Sequence, residues 1–209
     1  MGVSVRLRIR PVQCWMLIAA TAAAAGCGQH GEHKEKAMKE RTGLVTLKGN
    51  KVTLLGNEVK VGQKAPDVVL VANDLSTVSL SSLLKGKIGI IASVPSLDTS
   101  VCDTETRRFN QEAAGLGNDV TVLTVSMDLP FAQSRWCGAA GIKNLQTLSD
   151  HRDAAFGTSY GVLIKELRLL ARAIFVVDKQ GVIRYIQIVK EVATEPDYQA
   201  ALASVKSLQ

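Results

Sequence analysis

The sequence predicts an α/β domain, with a mixed central sheet, helices on both faces and an N-terminal β-hairpin. Three observations carry this. Ile88–Val94 and Val120–Val125 are continuous, largely β-branched runs, as in strands buried on both faces. Segments of helical spacing lie between and after them, and a turn-separated strand pair stands near each end of the domain. In chain order, Leu44–Leu47 and Val52–Leu55 flank Lys48-Gly49-Asn50-Lys51, a hairpin signal around a Gly-Asn turn. Val68–Ala72 is a short apolar strand after Pro66, and Ile88–Val94 stops at Pro95. Thr104 to Leu116 has helical spacing that puts Phe109, Ala113 and Leu116 on one side. After Val120–Val125 come a helix over Phe131–Ala139, a strand over Leu145–Leu148 and a short helix over Asp153–Tyr160. Ala173–Val177 and Val182–Ile188 are strands around the Asp178-Lys179-Gln180-Gly181 turn. Thr194-Glu195-Pro196 starts the last helix, with a Thr cap and a Pro just inside it. There is no internal repeat, Gly-rich phosphate loop or second domain, and residues 44–209 suffice for a core without staples.

The 209 residues are 46% hydrophobic and 21% charged, which excludes a disordered chain, and four cysteines are too few for a disulfide scaffold. The formal charge of +6 owes half its excess to Arg6, Arg8 and Arg10; without these three it is +3, and no nucleic-acid partner is needed to explain it. Residues 1–26 read as an export signal: a basic stretch to Gln13, then 13 apolar and small residues from Cys14 to Gly26. A bilayer span needs about 20 apolar residues. Ala24-Ala25-Gly26-Cys27, followed by polar residues, resembles a bacterial lipoprotein processing site, which implies lipidation at Cys27 and a membrane anchor in the cell envelope. Ala24 stands where that pattern usually has Leu, and an ordinary signal peptide, leaving a periplasmic protein, is the other reading. The rest of 27–43 is polar and of mixed charge, a flexible tether in which His30 and His33 read as solvated linker residues.

The chemistry concentrates between Pro95 and Cys102, just beyond the carboxyl end of a buried strand, where α/β sheets bind ligands. A cysteine in the first turn of a helix feels the positive end of the dipole, which favours the nucleophilic thiolate. The plain alternative is a small buried hydrophobe at Cys102 with Thr99 as a helix cap. Cys137 is the only other cysteine of the domain, and two cysteines in an oxidising compartment tend to join where geometry lets them. His151, the one histidine of the folded part, has no spacing that would put it beside Cys102 for a Cys–His hydrolase. Two Cys and one His do not make a sound tetrahedral metal site, and no motif asks for a cofactor. Redox thiol chemistry remains.

The stretch Ser93–Cys102 (SVPSLDTSVC) holds a Pro-x3-Thr-x2-Cys pattern, and Asp128–Cys137 (DLPFAQSRWC) follows it. Together they resemble the thiol peroxidase branch of the peroxiredoxins, the atypical two-cysteine kind. The resemblance extends over the early hairpin, Gly62–Asp67, Leu170–Ala173 and Thr194–Tyr198, hence essentially all of residues 44–209. It implies a thioredoxin-like fold and reduction of hydrogen peroxide and alkyl hydroperoxides. It further implies that Cys102 is the peroxidatic cysteine, that Thr99 orients the peroxide and that Arg172 stabilises thiolate and leaving oxygen. Pro95 would shield the sulfur, and Cys137 would resolve the sulfenic acid as an intrachain disulfide. Read without the family, Arg172 is a strand-rim arginine and Pro95 a strand terminator. The family is typically a homodimer reduced by thioredoxin; the export signal points instead to an exported or membrane-tethered thioredoxin-like donor. Val101, Leu129 and Phe131 allow an apolar rim for larger peroxides. A membrane-tethered thiol–disulfide oxidoreductase or a redox sensor without turnover is the alternative, although the former normally carries Cys-x-x-Cys, and 34 residues separate Cys102 from Cys137. Because both cysteines are predicted on separately packed helices, local unwinding around one of them is expected to accompany the disulfide.

Overall fold

A computed structural model describes residues 38–209. The export signal, Cys27, His30, His33 and most of the tether lie outside the described residues.

Seven strands form the main sheet in the order β11-β10-β5-β6-β7-β3-β4. At its centre, β5 (Ile88–Ser93) runs parallel to β6 (Val120–Ser126), which runs parallel to β7 (Gln146–Ser149). On the other side of β5, β10 (Ala173–Val177) is antiparallel and pairs with the edge strand β11 (Ile183–Ile188). The sheet is therefore mixed, as expected. Successive residues of a strand face opposite sides, and the core divides accordingly. Ile88, Ile90, Ala92, Ile174 and Val176 pack with Phe109 of α2 (Ser100–Ala113) and with Ala201, Leu202 and Val205 of α5 (Tyr198–Lys206). Ile91, Phe175 and Val177 face the other way, toward Phe156 of α4 (Ala155–Ser159) and Tyr160 just beyond it, whose rings stack. Every residue of β5 is buried, which accounts for its unbroken apolar run.

The expected N-terminal hairpin is present as β1 (Glu40–Leu47) and β2 (Asn50–Leu55). Leu47 pairs with Asn50, so the turn is Lys48-Gly49 rather than Gly-Asn, with φ of 51° and 79°. Both central residues have positive φ, the type that matches strand twist and favours Gly at the second place. β1 starts inside the segment read as tether, because Glu40 pairs with Leu55 and binds Lys165.

The strand expected over Val68–Ala72 is β3 (Val69–Val71); the small elements around it and later in the chain are not announced by the sequence. β3 turns into β4 (Thr77–Ser79) and α1 (Leu80–Leu84), capped by the Ser79 hydroxyl, which accepts from the Ser82 amide. β8 (Leu163–Ile164) and β9 (Leu169–Leu170) extend the hairpin into a second, four-stranded sheet, β1-β2-β8-β9. Strands of two residues leave no periodicity to detect.

Two helix starts differ from expectation. α2 begins at Ser100 rather than Thr104, so Cys102 lies in its first turn. α5 begins at Tyr198, capped by the Asp197 carboxylate accepting from the Ala200 amide, while Thr194 closes a turn by donating to the Glu191 carbonyl.

Candidate active site

The loop leaving β5 is fixed by a carboxylate. Asp128 accepts from the Ser96 hydroxyl at 2.7 Å, the Leu97 amide at 2.8 Å and the Ser126 hydroxyl at 2.8 Å. This ties the residues after the central strand to the end of β6. It also sets where α2 begins, and so where Cys102 sits.

Thr99 occupies the N-cap position but makes no side-chain cap bond. Its hydroxyl instead lies 2.8 Å from Cys102 Sγ and 3.1 Å from the Ser96 carbonyl. Arg172 Nη2 donates to the same sulfur at 3.3 Å. Arg172 lies between β9 and β10 and is only 1% exposed. Its Nε donates to the Val192 carbonyl at 3.0 Å, and its Nη1 pairs with Glu105. Nearby, the Ser93 hydroxyl donates to the Ala171 carbonyl at 2.8 Å, fixing the chain just before the arginine.

Burial opposes the charge of Arg172, but the carboxylate of Glu105 and the sulfur of Cys102 outweigh it and hold its pKa above the ordinary value. Burial pushes Glu105 up to about 7, against the pull of Arg172. The guanidinium thus stays charged, fully buried, with one donor aimed at the sulfur.

Cys102 is fully buried, packed with Val94, Leu97 and Trp136. Beside it lies a cavity of about 270 Å³, whose wall includes Pro95, Thr99 and Arg172 together with Leu47, Ile164 and Leu169. A second cavity of about 220 Å³, beside Lys64, Pro66 and Lys179, holds none of the candidate residues. The structure therefore brings Thr99, Arg172 and Pro95 to one place around Cys102.

Cys137 is not in that group. It lies half-buried in α3 (Pro130–Ala140), with Sγ 3.3 Å from the Thr147 hydroxyl, and both thiols are free. Its neighbour Trp136 packs against the cluster of Val94, Leu97 and Cys102. His151 is bonded through Nδ1 to the Ser149 hydroxyl, away from both thiols.

Sequence reasoning missed Glu105 and Asp128. Glu105 has a visible signal: it is the acid among Cys102, Thr106 and Phe109, a face that is buried on α2. Asp128 opens the DLPFAQSRWC stretch, yet its clamp on a loop 31 residues earlier is tertiary and leaves no local trace.

A buried thiol held by a hydroxyl and a buried guanidinium, in the helix turn that follows the central strand of a thioredoxin-like sheet, is the arrangement of a thiol redox enzyme. A family model for Redoxin matches residues 60–202. The thiol peroxidase of Halalkalibacterium halodurans is 56% identical over 163 residues, covering 78% of this chain and 97% of that protein. The thiol peroxidase of Bacillus subtilis is 55% identical over 164 residues, with the same coverage. A crystal structure of a peroxiredoxin-like protein from Aquifex aeolicus superposes with a TM-score of 0.75 at 45% identity, over 83% of this chain and 99% of that one. The chain belongs to the Redoxin family and, within it, to the thiol peroxidases.

The buried Glu105 has a consequence for stability. Its folded value of about 7 exceeds its ordinary 4.5. Below about pH 4.5 it is protonated whether folded or not; between there and about 7 the unfolded chain loses its proton first. Stability from this group is therefore lost as pH rises through that window. In pH-resolved thermal melts, the fall in midpoint between pH 4.5 and 7 should be smaller by several degrees for Glu105→Gln than for wild type. Parallel curves would refute the assignment.

Proposed function

We propose that Cys102 is the peroxidatic cysteine of this thiol peroxidase, and that Cys137 resolves it as an intrachain disulfide. The observation that carries the reading is the pair of donors, Thr99 and Arg172, converging on one buried sulfur.

The chemistry follows from their placement. The Cys102 thiolate attacks the terminal oxygen of ROOH; an S–O bond forms, the O–O bond breaks, and RO⁻ leaves and takes up a proton as ROH. The Arg172 guanidinium lies where charge grows on the leaving oxygen, a role for which a permanently charged, forked donor suits better than an ammonium. The Thr99 hydroxyl accepts from the incoming peroxide or donates to the sulfur, which fixes the O–O axis. Pro95 on the cavity wall keeps water from the sulfur. Cys102 is left as a sulfenic acid, one step short of overoxidation. The Cys137 thiol then displaces water from that sulfur, forming the disulfide, and an exported thioredoxin-like dithiol returns both cysteines to thiols. Hydrogen peroxide fits the site, and the apolar residues of the cavity wall (Leu47, Ile164, Leu169) suit the hydrocarbon part of alkyl hydroperoxides.

Two sulfurs must approach to about 2 Å with Cα atoms within roughly 7 Å, so a helix has to open. The side holding Cys137 is the weaker one. α2 buries Cys102, Glu105, Thr106 and Phe109, whereas α3 buries only Pro130 and Gln133, both before Cys137, and ends at Gly141 in left-handed conformation. Local opening is cheapest where few groups are buried.

Cys102→Ser is expected to abolish peroxide consumption with a dithiol present; equal rates for variant and wild type would end the reading. Cys137→Ser is expected to react once and then accumulate the sulfinic acid, a gain of two oxygens seen by mass spectrometry.

The homodimer is part of the same proposal. Leu129 and Phe131, 53% and 65% exposed beside the Asp128 clamp, offer apolar surface for a second copy. Phe131→Glu should then shift the sedimentation coefficient to that of a monomer, and an unchanged coefficient would place the contact elsewhere. The export signal and Cys27 support a membrane-anchored lipoprotein of the cell envelope. Labelled fatty acid should enter the exported wild-type protein and not Cys27→Ser; no label in wild type refutes the anchor.

A further inference from the structure

We propose that Trp136 and Asp103 form a latch that holds the resolving cysteine away from Cys102 and sets how fast the disulfide closes. The proposal rests on the two-cysteine reading above and concerns its second step.

Cys137 and Trp136 are consecutive on α3, so their side chains leave the helix about 100° apart. Trp136 packs against Val94, Leu97 and Cys102, and Cys137 accordingly points to Thr147, with Asn73 Nδ2 4.0 Å from its sulfur. While the indole stays on the cluster that holds Cys102, Cys137 is turned toward Thr147 instead. The indole is in turn fastened to the helix that carries Cys102. Its Nε1 donates to Asp103 at 3.0 Å, and Arg107 Nε donates to both oxygens of that carboxylate at 3.0 and 2.9 Å. The Arg107 guanidinium lies 5.7 Å from the centre of the indole ring and also donates to the carbonyl of Ala140, the last residue of α3, at 3.0 Å.

Magnitudes identify the component that matters. The Asp103–Arg107 pair is on the surface, with side chains 36% and 44% exposed, and such pairs contribute little. The indole hydrogen bond and its packing beside Cys102 are partly buried and are worth more. α3 buries no residue beyond Gln133, so this latch is a large share of what holds its second half in place.

The sulfenic acid of Cys102 has two fates. Cys137–SH displaces water and closes the disulfide, or a second ROOH transfers an oxygen, giving the sulfinic acid and ROH. A tighter latch slows the first and leaves more time for the second. Asp103 and Trp136 are thus positioning residues that act on resolution rather than on peroxide reduction.

The test uses the full chain, mixed rapidly with excess hydrogen peroxide, quenched by alkylation, and resolved by mass spectrometry into Cys102 thiol, disulfide and the +32 sulfinic form. Trp136→Phe keeps an aromatic ring and removes only the donor; Asp103→Ala removes the acceptor. In both, Cys102 thiol should be consumed at the wild-type rate, and the disulfide should appear roughly threefold to tenfold faster, the effect of one hydrogen bond. The +32 fraction should fall by a similar factor, a readout that a purely structural defect would not move in that direction. Disulfide formation at or below the wild-type rate, with normal thiol consumption, overturns the latch alone. A changed rate of thiol consumption that accounts for the whole effect overturns it as well. Wild-type Cys102 remaining reduced overturns both the latch and the two-cysteine reading.

Discussion

Much of the site depends on keeping one guanidinium charged inside the protein. An unpaired buried charge costs several kcal/mol or more, so Arg172 exists only because its donors are assigned: Glu105 on Nη1, the Val192 carbonyl on Nε, Cys102 on Nη2. On the proposed assignment the third is the reacting sulfur: while Cys102 is a thiolate the guanidinium would face two anions, and once it is a sulfenic acid or disulfide it would face Glu105 alone. A carboxyl pushed up to about 7 suits that position, since it can hold a proton while the thiolate is present and release it when that charge is lost.

The fold supplies this arrangement through the two strands flanking β5. β6 ends at Ser126 and leads to Asp128, which fixes the loop before α2; β10 starts at Ala173, directly after Arg172, and pairs with Ser93. Sulfur and arginine are therefore both referred to the last residue of the central strand, one through a loop and the other through a backbone ladder. Elements far from the sulfur take part. The carboxylate of Glu191 accepts from the Thr46 hydroxyl and from the Lys48 and Gly49 amides, pinning the hairpin turn next to Val192. Its several donors hold its pKa near 2. Through this contact the hairpin supplies Leu47 and Lys48 to the cavity wall.

How much of this was readable in the sequence follows from the range of each interaction. β5 and β6 were legible within a residue or two because burial on both faces writes itself as a run of β-branched residues. Cys102, Thr99 and Pro95 were legible because a strand end, a loop and a helix start are consecutive in the chain. Arg172 drew no attention by itself; it stands in the apolar stretch from Leu169 to Val177, where its residue type conflicts with its surroundings, and the family resemblance gave that conflict its meaning. Asp128 was invisible in role, since its partners are brought to it only by parallel pairing of β5 and β6. The last helix starts late for a related reason: Thr194 looks like a cap, but its hydroxyl closes a turn on the Glu191 carbonyl and Asp197 does the capping.

The diversion of Thr99 shows how function and fold compete at a single atom. An N-cap hydroxyl normally accepts from an amide in the first turn and stabilises a helix by about 1 kcal/mol. Here it turns to Cys102 Sγ, and no side chain caps the start of α2. The helix tolerates this because its hold on the protein does not come from its end. Phe109 is fully buried against β5, β6 and β10, and such a ring contributes more than one cap. With the hydroxyl elsewhere, the first-turn amides keep no side-chain cap, and Cys102 lies in that same turn, at the positive end of the helix dipole. α2 can spare its cap because its buried face holds it, whereas α3, with no buried residue beyond Gln133, is held less firmly, as the proposed delivery of Cys137 requires.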